Sequence, residues 1–273
     1  NEFVYNLGAD VRYGVSSNAV INATVNPDFG QVEADPSVLN LSAYETFYEE
    51  KRPFFSEGAN FFQHRLQLFH SRRIGNAPGY FSPDSGDLEN VPGNTTILGA
   101  FKLIGTTKSG FNYGLINATT NEELGTIINA DGQKKDFVVE PRSNYAVGRV
   151  EKSFINKFSR VGIMGTTVIR ENAESASVAG LDWKIGLLNN RLFSNGQIVR
   201  SNTDHKGNAF RFNLGYTDPV WWSTRVWYGT YDDKFEINDM GYLRRNNLTW
   251  TGVMFEARRR EPWSYFLGSS IEF

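Results

Sequence analysis

The sequence has 273 residues, with 28 basic and 30 acidic side chains and a formal net charge of −2. That balance excludes a global basic field for nucleic acid, and the lack of any cysteine excludes disulfides, thiolate catalysis and thiolate metal sites. No apolar run approaches the ~18 residues of a membrane helix. A transmembrane β-barrel stays open at a mean hydropathy of −0.41, because its strands show only every second residue to lipid.

The first element is a strand over residues 3–15. Tyr5, Leu7, Ala9, Val11, Tyr13 and Val15 fall on one face, and Asn6, Gly8, Asp10, Arg12 and Gly14 on the other. Strict period two with charge on one face is the pattern of a half-buried strand. Because the chain opens inside that pattern, a mature fragment or a partly covered chain is expected. A second strand follows at 19–26.

The alternation then stops. "NPDFGQVEADPSVLNLSAYETFYEEKRPFFSEGANFF", Asn26 to Phe62, carries seven carboxylates and a knot of aromatics. Val38, Leu41, Tyr44 and Tyr48 have helical spacing. Ser42 and Glu45 have the spacing of a capping box, and Pro53 is expected to end that helix by restricting Arg52. The stretch 63–74, with its run "RLQLFHSRRI", looks strand-like but is assigned to the same excursion, which spans 27–94. An excursion of this size with its own apolar side is more than a loose loop. On a barrel rim, Phe54, Phe55, Phe61 and Phe62 have one place to be buried, the lumen, so the segment reads as a plug or constriction.

Strands resume at 95–106, 110–121, 143–154, 158–170, 177–188, 191–201, 207–217, 221–232, 247–259 and 263–273. In 177–188, Ala179, Leu181, Trp183, Ile185 and Leu187 oppose Gly180, Asp182, Lys184 and Gly186. In 207–217, Phe210, Phe212, Leu214 and Tyr216 oppose Arg211, Asn213, Gly215 and Thr217. In 263–273, Trp263, Tyr265, Leu267, Ile271 and Phe273 oppose Ser264, Gly268, Ser270 and Glu272. Runs of about 10–12 residues match the ~9–11 of a tilted membrane strand better than the ~5–6 of soluble sheets. Trp221, Trp222, Trp227, Tyr228 and Tyr231 are expected to form an interfacial aromatic girdle. Short connections alternate with long ones, the habit of an outer-membrane barrel whose tight turns are periplasmic.

The fold class expected is therefore all-β. It is an antiparallel transmembrane β-barrel of about 12 strands over residues 1–273, with the plug inserted at 27–94. Turn polarity makes the first strand run downward and the last upward, so barrel strands are expected to be missing at both ends. The rival is a complete twelve-stranded barrel ending at Phe273.

The long motif, followed by "HSRRIG" at 70–75, closely resembles a family of Gram-negative outer-membrane proteins. In that family, a domain like the family 9 carbohydrate-binding modules precedes a barrel-type domain of unknown function. "FEINDMGYLRRNN", Phe235 to Asn247, looks like that family's second recurring stretch. The resemblance implies the cell outer membrane of a Gram-negative bacterium and carries no established activity.

The plug motif comprises Asn26, Pro27, Asp28, Phe29, Gln31, Glu33, Asp35, Glu49, Lys51, Arg52, Pro53, Phe55, Glu57, Arg72 and Arg73. Arg12, Lys184 and Arg211 are the lumen candidates. Asp28, Glu33 and Asp35 could offer clustered oxygens to Ca²⁺, but EF-hand spacing is lacking, and ion pairing within the plug is preferred. His64 and His70 without cysteine partners read as structural residues rather than metal ligands. No G-x-S-x-G elbow marks a hydrolase, so no catalytic residue and no cofactor is assigned. Arg72-Arg73 and Arg244-Arg245 read as partners of the acidic plug before anion-selecting charges.

The function expected is a plugged or gated pore, or an uptake component, for saccharides by analogy with the companion domain. The alternative is a non-transporting membrane anchor or assembly platform displaying a carbohydrate-binding domain. A third reading is a soluble β-rich glycan-binding or hydrolytic domain. The partners expected are outer-membrane lipid, a saccharide and other outer-membrane or periplasmic proteins, with no nucleic acid.

Overall fold

The computed structural model describes residues 7–27, 41, 44–83, 86–128, 132–259, 261–262 and 264–273. The chain begins with β1 (Ala9–Ser16) and β2 (Ala19–Val25). A long insert follows, with one helical turn, α1 (Pro53–Ser56), two 3-10 turns (Ala59–Phe61 and Ser71–Arg73) and the short β3 (Asp87–Glu89). Next come β4 (Ile97–Thr106), β5 (Phe111–Thr120), β6 (Glu123–Ile128), β7 (Lys134–Glu140), β8 (Ser143–Ser153) and β9 (Arg160–Arg170). The rest is β10 (Ala176–Leu187), β11 (Leu192–Asn202), β12 (Lys206–Thr217), β13 (Trp222–Tyr231), β14 (Leu248–Arg259) and β15 (Ser269–Glu272).

Twelve strands form one antiparallel sheet in the order β1-β2-β4-β5-β8-β9-β10-β11-β12-β13-β14-β15. Each is paired with the strand next to it along the chain, once the excursions are set aside. All twelve expected strands are present. The last is much shorter than expected: residues 264–268 precede it as a turn-rich segment, with Tyr265 and Leu267 exposed. The segment 122–142, expected to be a loop, instead makes the β6–β7 hairpin, which forms a separate three-stranded sheet with β3.

The sheet is not closed into a barrel. Among the described residues, β1 pairs only with β2 and β15 only with β14, and the β14–β15 ladder runs for four residue pairs, Glu256↔Glu272 to Arg259↔Ser269. No ladder joins the two edges among the described residues.

The two faces of this sheet are opposite in character to those of a soluble one. One face is covered by the insert and by the 233–246 connection. It carries Lys102, Arg149, Gln197 and Asn213, all buried. The other face is bare and carries Val11, Ile163, Ile169, Ile198 and Val253, exposed by 61%, 62%, 56%, 54% and 68%. A strand of a water-soluble sandwich would bury that branched aliphatic row. An apolar surface this large and continuous marks an interaction with something apolar.

The covered face is itself divided along the strand axis. Entering β8 from its long-connection end, the covered row reads Ser143, Tyr145, Val147 and then Arg149, Glu151. β10 gives Ala176, Val178, Gly180 and then Asp182, Lys184, and β12 gives Gly207, Ala209 and then Arg211, Asn213. The antiparallel neighbour β9 reads in reverse, Arg160 and Gly162 before Met164 and Val168. The half near the long connections is therefore apolar, and the half near the tight turns is polar.

The apolar half is the core. Phe55, Phe62, Leu66, Leu68 and Ile74 of the insert pack with Phe235, Ile237 and Met240 onto Ile116, Val147, Met164, Val168, Val178 and Val199. Complete burial of each phenylalanine is worth roughly 1.5–3 kcal/mol.

Candidate binding site on the covered face

The insert is positioned by arginines. Arg52 donates from Nε and Nη2 to the Glu50 carboxylate at 2.9 and 2.7 Å. It also reaches the carbonyls of Ile74 (2.7 Å) and Ser71 (2.8 Å), with its guanidinium 4.4 Å from the Phe55 ring centroid. The Ser71 hydroxyl donates at 2.7 Å to Glu50 Oε2, the oxygen that also accepts from Arg52 Nη2. Burial opposes ionisation of Glu50, but the Arg52 bonds, the Arg52 charge and the Ser71 hydroxyl outweigh it and hold the carboxyl below its usual range. Arg72 donates to the Glu49 carbonyl at 2.8 and 3.0 Å.

These bonds explain why the expected helix is absent from residues 44–52, which run without helical turns up to Pro53. Glu45, Glu49 and Glu50 each face an arginine of residues 52–73, and an extended course lets all three do so. Pro53 then starts the helical turn instead of ending one. Its fixed φ and missing N–H suit a first-turn position.

The structure brings the two motif stretches together. Arg73 chelates Glu45 at 2.9 and 2.6 Å and donates to the Gly241 carbonyl at 3.0 Å. The Tyr242 hydroxyl donates to the Glu45 carbonyl at 2.8 Å, and Gln67 and Tyr242 form an antiparallel bridge. His70 stacks on Phe47 at 4.9 Å, with Tyr242 5.7 Å away. Burial, then the Arg73 charge, pushes His70 down to about 4 against the raising effect of Glu45 and Glu50. From the sheet, Lys102 reaches the Phe54 carbonyl and, at 2.6 Å, the Glu57 carbonyl. The Glu57 carboxylate pairs with Arg12 at 2.8 Å and accepts from Asn22 at 3.1 Å.

Of the motif residues, Asp28, Phe29, Gln31, Glu33 and Asp35 lie outside the described residues. Asn26 and Pro27 continue from β2, the Asn26 amide donating to the Leu7 carbonyl at 3.0 Å. Lys51 sits half-buried beside Arg52. Arg244 lies 5.1 Å from the Tyr44 ring.

A second buried network lies where the two halves meet. Arg149 clamps Asp182 through two bonds of 2.6 and 3.0 Å and bonds Glu151 at 2.8 Å. His64 Nε2 meets the Asp182 carboxylate at 3.1 Å and also the Arg149 guanidinium. Arg160 adds a 3.3 Å contact to Glu151. Among the described residues, no group of three or more metal-ligating side chains converges, and His64 and His70 belong to separate networks.

Next to this network is a cavity of about 790 Å³ between insert residues 63–65 and β9–β14. Two of the three lumen candidates, Lys184 and Arg211, line it. Arg12 does not, being at the β1 edge with Glu57. Sequence reasoning missed the other lining residues that matter, Arg65, Asn213, Arg225, Trp227 and Trp250. Trp227 stands opposite Gly252, and Trp250 opposite Gly229, in the β13–β14 ladder. Each indole lies flat across its partner glycine, where a Cβ would fall 2.2 and 2.0 Å from ring carbons.

The expected girdle is corrected accordingly. Trp222 and Tyr228 lie on the bare face, with Trp222 stacked on Phe255 at 6.0 Å, but Trp227 and Tyr231 share the parity of Arg225 and lie on the covered face. Period two separates neighbours in sequence that clustering had grouped.

Neither a curated protein nor a solved structure matches this chain. A family model described as "Domain of unknown function (DUF5916)" matches residues 1–273, and the chain belongs to that family.

Proposed function

We propose that the sheet is the wall of an outer-membrane β-barrel in a Gram-negative bacterium, with the insert at 27–94 as its plug. One observation carries this: branched aliphatic rows are exposed on the bare face, whereas the buried charged and polar side chains Lys102, Arg149, Gln197 and Asn213 are on the covered face. Lipid satisfies such a bare face, and a polar interior satisfies such a covered one. In this reading further strands close the edges of β1 and β15. The tight turns are periplasmic, so the polar half of the interior faces the periplasm and the packed half faces out. The protein then acts as a plugged or gated pore, or an uptake component, with a saccharide as solute.

The chain has no cysteine, so single cysteines test the reading directly. Ile163→Cys, Ile198→Cys and Val253→Cys in proteoliposomes are expected to resist a water-soluble maleimide, while Lys184→Cys reacts. Equal labelling of all four sinks the barrel. A second reading, a permanently closed anchor or platform for a carbohydrate-binding domain, is favoured by the Arg52, Arg73 and Lys102 bonds that fix the insert. Planar-bilayer conductance separates the two. Current steps that appear or enlarge on deleting 27–94 support the plugged pore, and silence from a folded deletion variant supports the anchor.

A further inference from the structure

From the geometry of the covered-face cavity, we infer that it is a binding site for an acidic oligosaccharide, a chain of pyranose rings bearing carboxylate or sulfate groups. The inference deepens the barrel reading and rests on it, since the cavity is then the polar half of the barrel interior.

Three independent features converge on this ligand. The first is charge. Five cationic side chains line the cavity against one carboxylate, Asp182, and that carboxylate is already clamped by Arg149. Arg160 has Glu151. No ion pair joins Arg65, Lys184, Arg211 or Arg225 to a carboxylate among the described residues. Such a concentration of one sign in a recess attracts anions.

The second feature is the indole pair. Trp227 and Trp250 are diagonal neighbours on one face of the β13–β14 ladder, a spacing of about 7–8 Å between backbones. Each ring lies flat over a glycine, so its broad side is presented parallel to the sheet and not edge-on. The C–H bonds on one side of a pyranose are weakly positive and pack against the negative face of an aromatic ring. Two such platforms side by side suit consecutive sugars. The Arg211 guanidinium lies over the Trp250 ring, 5.7 Å from its centroid, so the open side of that platform is shared with a cation while Trp227 offers the freer face.

The third feature is an acceptor that lacks a donor. Asn213 is 9% exposed and lines the cavity, and its Oδ1 has no hydrogen-bond partner. A buried acceptor left unpaired costs about 1–3 kcal/mol. A ligand that satisfies it must donate, as a hydroxyl does and as sulfate or carboxylate alone does not. Hydroxyls for Asn213, a carbon face for the tryptophans and acid groups for the cations together describe a charged sugar chain. An inorganic anion lacks the carbon face, and a neutral sugar lacks the acid groups.

The test is isothermal titration of the full chain in detergent with an oligogalacturonate, a neutral maltooligosaccharide, inorganic phosphate and ATP. Oligogalacturonate is expected to bind at least tenfold more tightly than the other three, and to weaken as salt is raised. Lys184→Gln with Arg225→Gln is expected to lower that affinity at least tenfold, as is Trp227→Ala. Trp227→Phe keeps a ring and guards against misfolding, and its loss is expected to be smaller than that of Trp227→Ala. Equal affinity for maltooligosaccharide, preference for phosphate or ATP, or no binding by a protein that keeps its heat-modifiable migration overturns the inference. The cysteine labelling is read without ligand. Protected bare-face cysteines without binding overturn the ligand alone, whereas binding with unprotected cysteines overturns the barrel.

Discussion

The two halves of the covered face come from the same strands but have opposite contents. Near the long connections, the row of side chains is aliphatic and the insert fills the space above it. Near the tight turns, the same rows turn to Arg, Lys, Asp and Asn, and about 790 Å³ is left open. One strand therefore packs at one end and presents chemistry at the other. The insert secures the packed half through shape and through arginine hubs, while the polar half is held by Arg149 with Asp182 and by the indole–glycine ladder. Packing and the open cavity are thus separable in this protein, and changes in one half should leave the other intact.

The largest effect is expected at Arg52, whose loss leaves Glu50 buried beside apolar neighbours. Truncating one member of a buried pair costs about 3–5 kcal/mol. Arg52→Ala should therefore free residues 44–76 for limited proteolysis while the sheet stays folded. If the insert stays resistant, the hub does not hold it. Next, Met164→Ala in the packed half should cost about 2–5 kcal/mol by urea unfolding, and Lys184→Ala in the polar half about 0.5 kcal/mol or less. Similar values for both would erase the contrast between the halves. Gly252→Ala comes third, because its Cβ would sit 2.2 Å from the Trp227 ring. Overpacking there should cost about 1–3 kcal/mol and shift tryptophan emission as the indole lifts from the sheet. An unchanged spectrum would mean that the ring is not seated on that glycine.

The strands were legible because period two survives in any environment. The alternation over 177–188 or 207–217 identifies both strand and faces without a neighbour. The division of the covered face was not legible, because it depends on what the insert touches. Val178 and Asp182 share one parity, and only the placement of Leu66, Leu68 and His64 separates their fates. The helix expected in "NLSAYETFYEEK" is absent from the described residues 44–52 for a related reason. Its spacing was genuine, but Glu45 and Glu50 meet Arg73 and Arg52, with Arg73 far along the chain. The β6–β7 hairpin had a local signal in Asp131-Gly132 between two β-rich runs. The Trp227 platform had one too, in its parity with Arg225.

The halves should differ again in their pH response. In the folded protein, His70 titrates at about 4 and Glu50 below its usual range. Unfolding the insert returns His70 to about 6.5. Between about 6.5 and 4, the unfolded segment binds a proton that the folded one refuses, so stability falls as pH falls. Glu50 acts in the same direction below the usual carboxylate range, where the released side chain protonates before the Arg52-bound one. Both groups therefore stabilise the packed half near neutrality and weaken it in acid, His70 first. Proteolysis of the insert by a protease active across the range should accelerate from pH 7 to pH 4.5. His70→Gln should flatten the upper part of that rise by removing the titrating imidazole. A profile unchanged by His70→Gln would show that the ring stacked on Phe47 does not control the insert, and that acid sensitivity arises elsewhere.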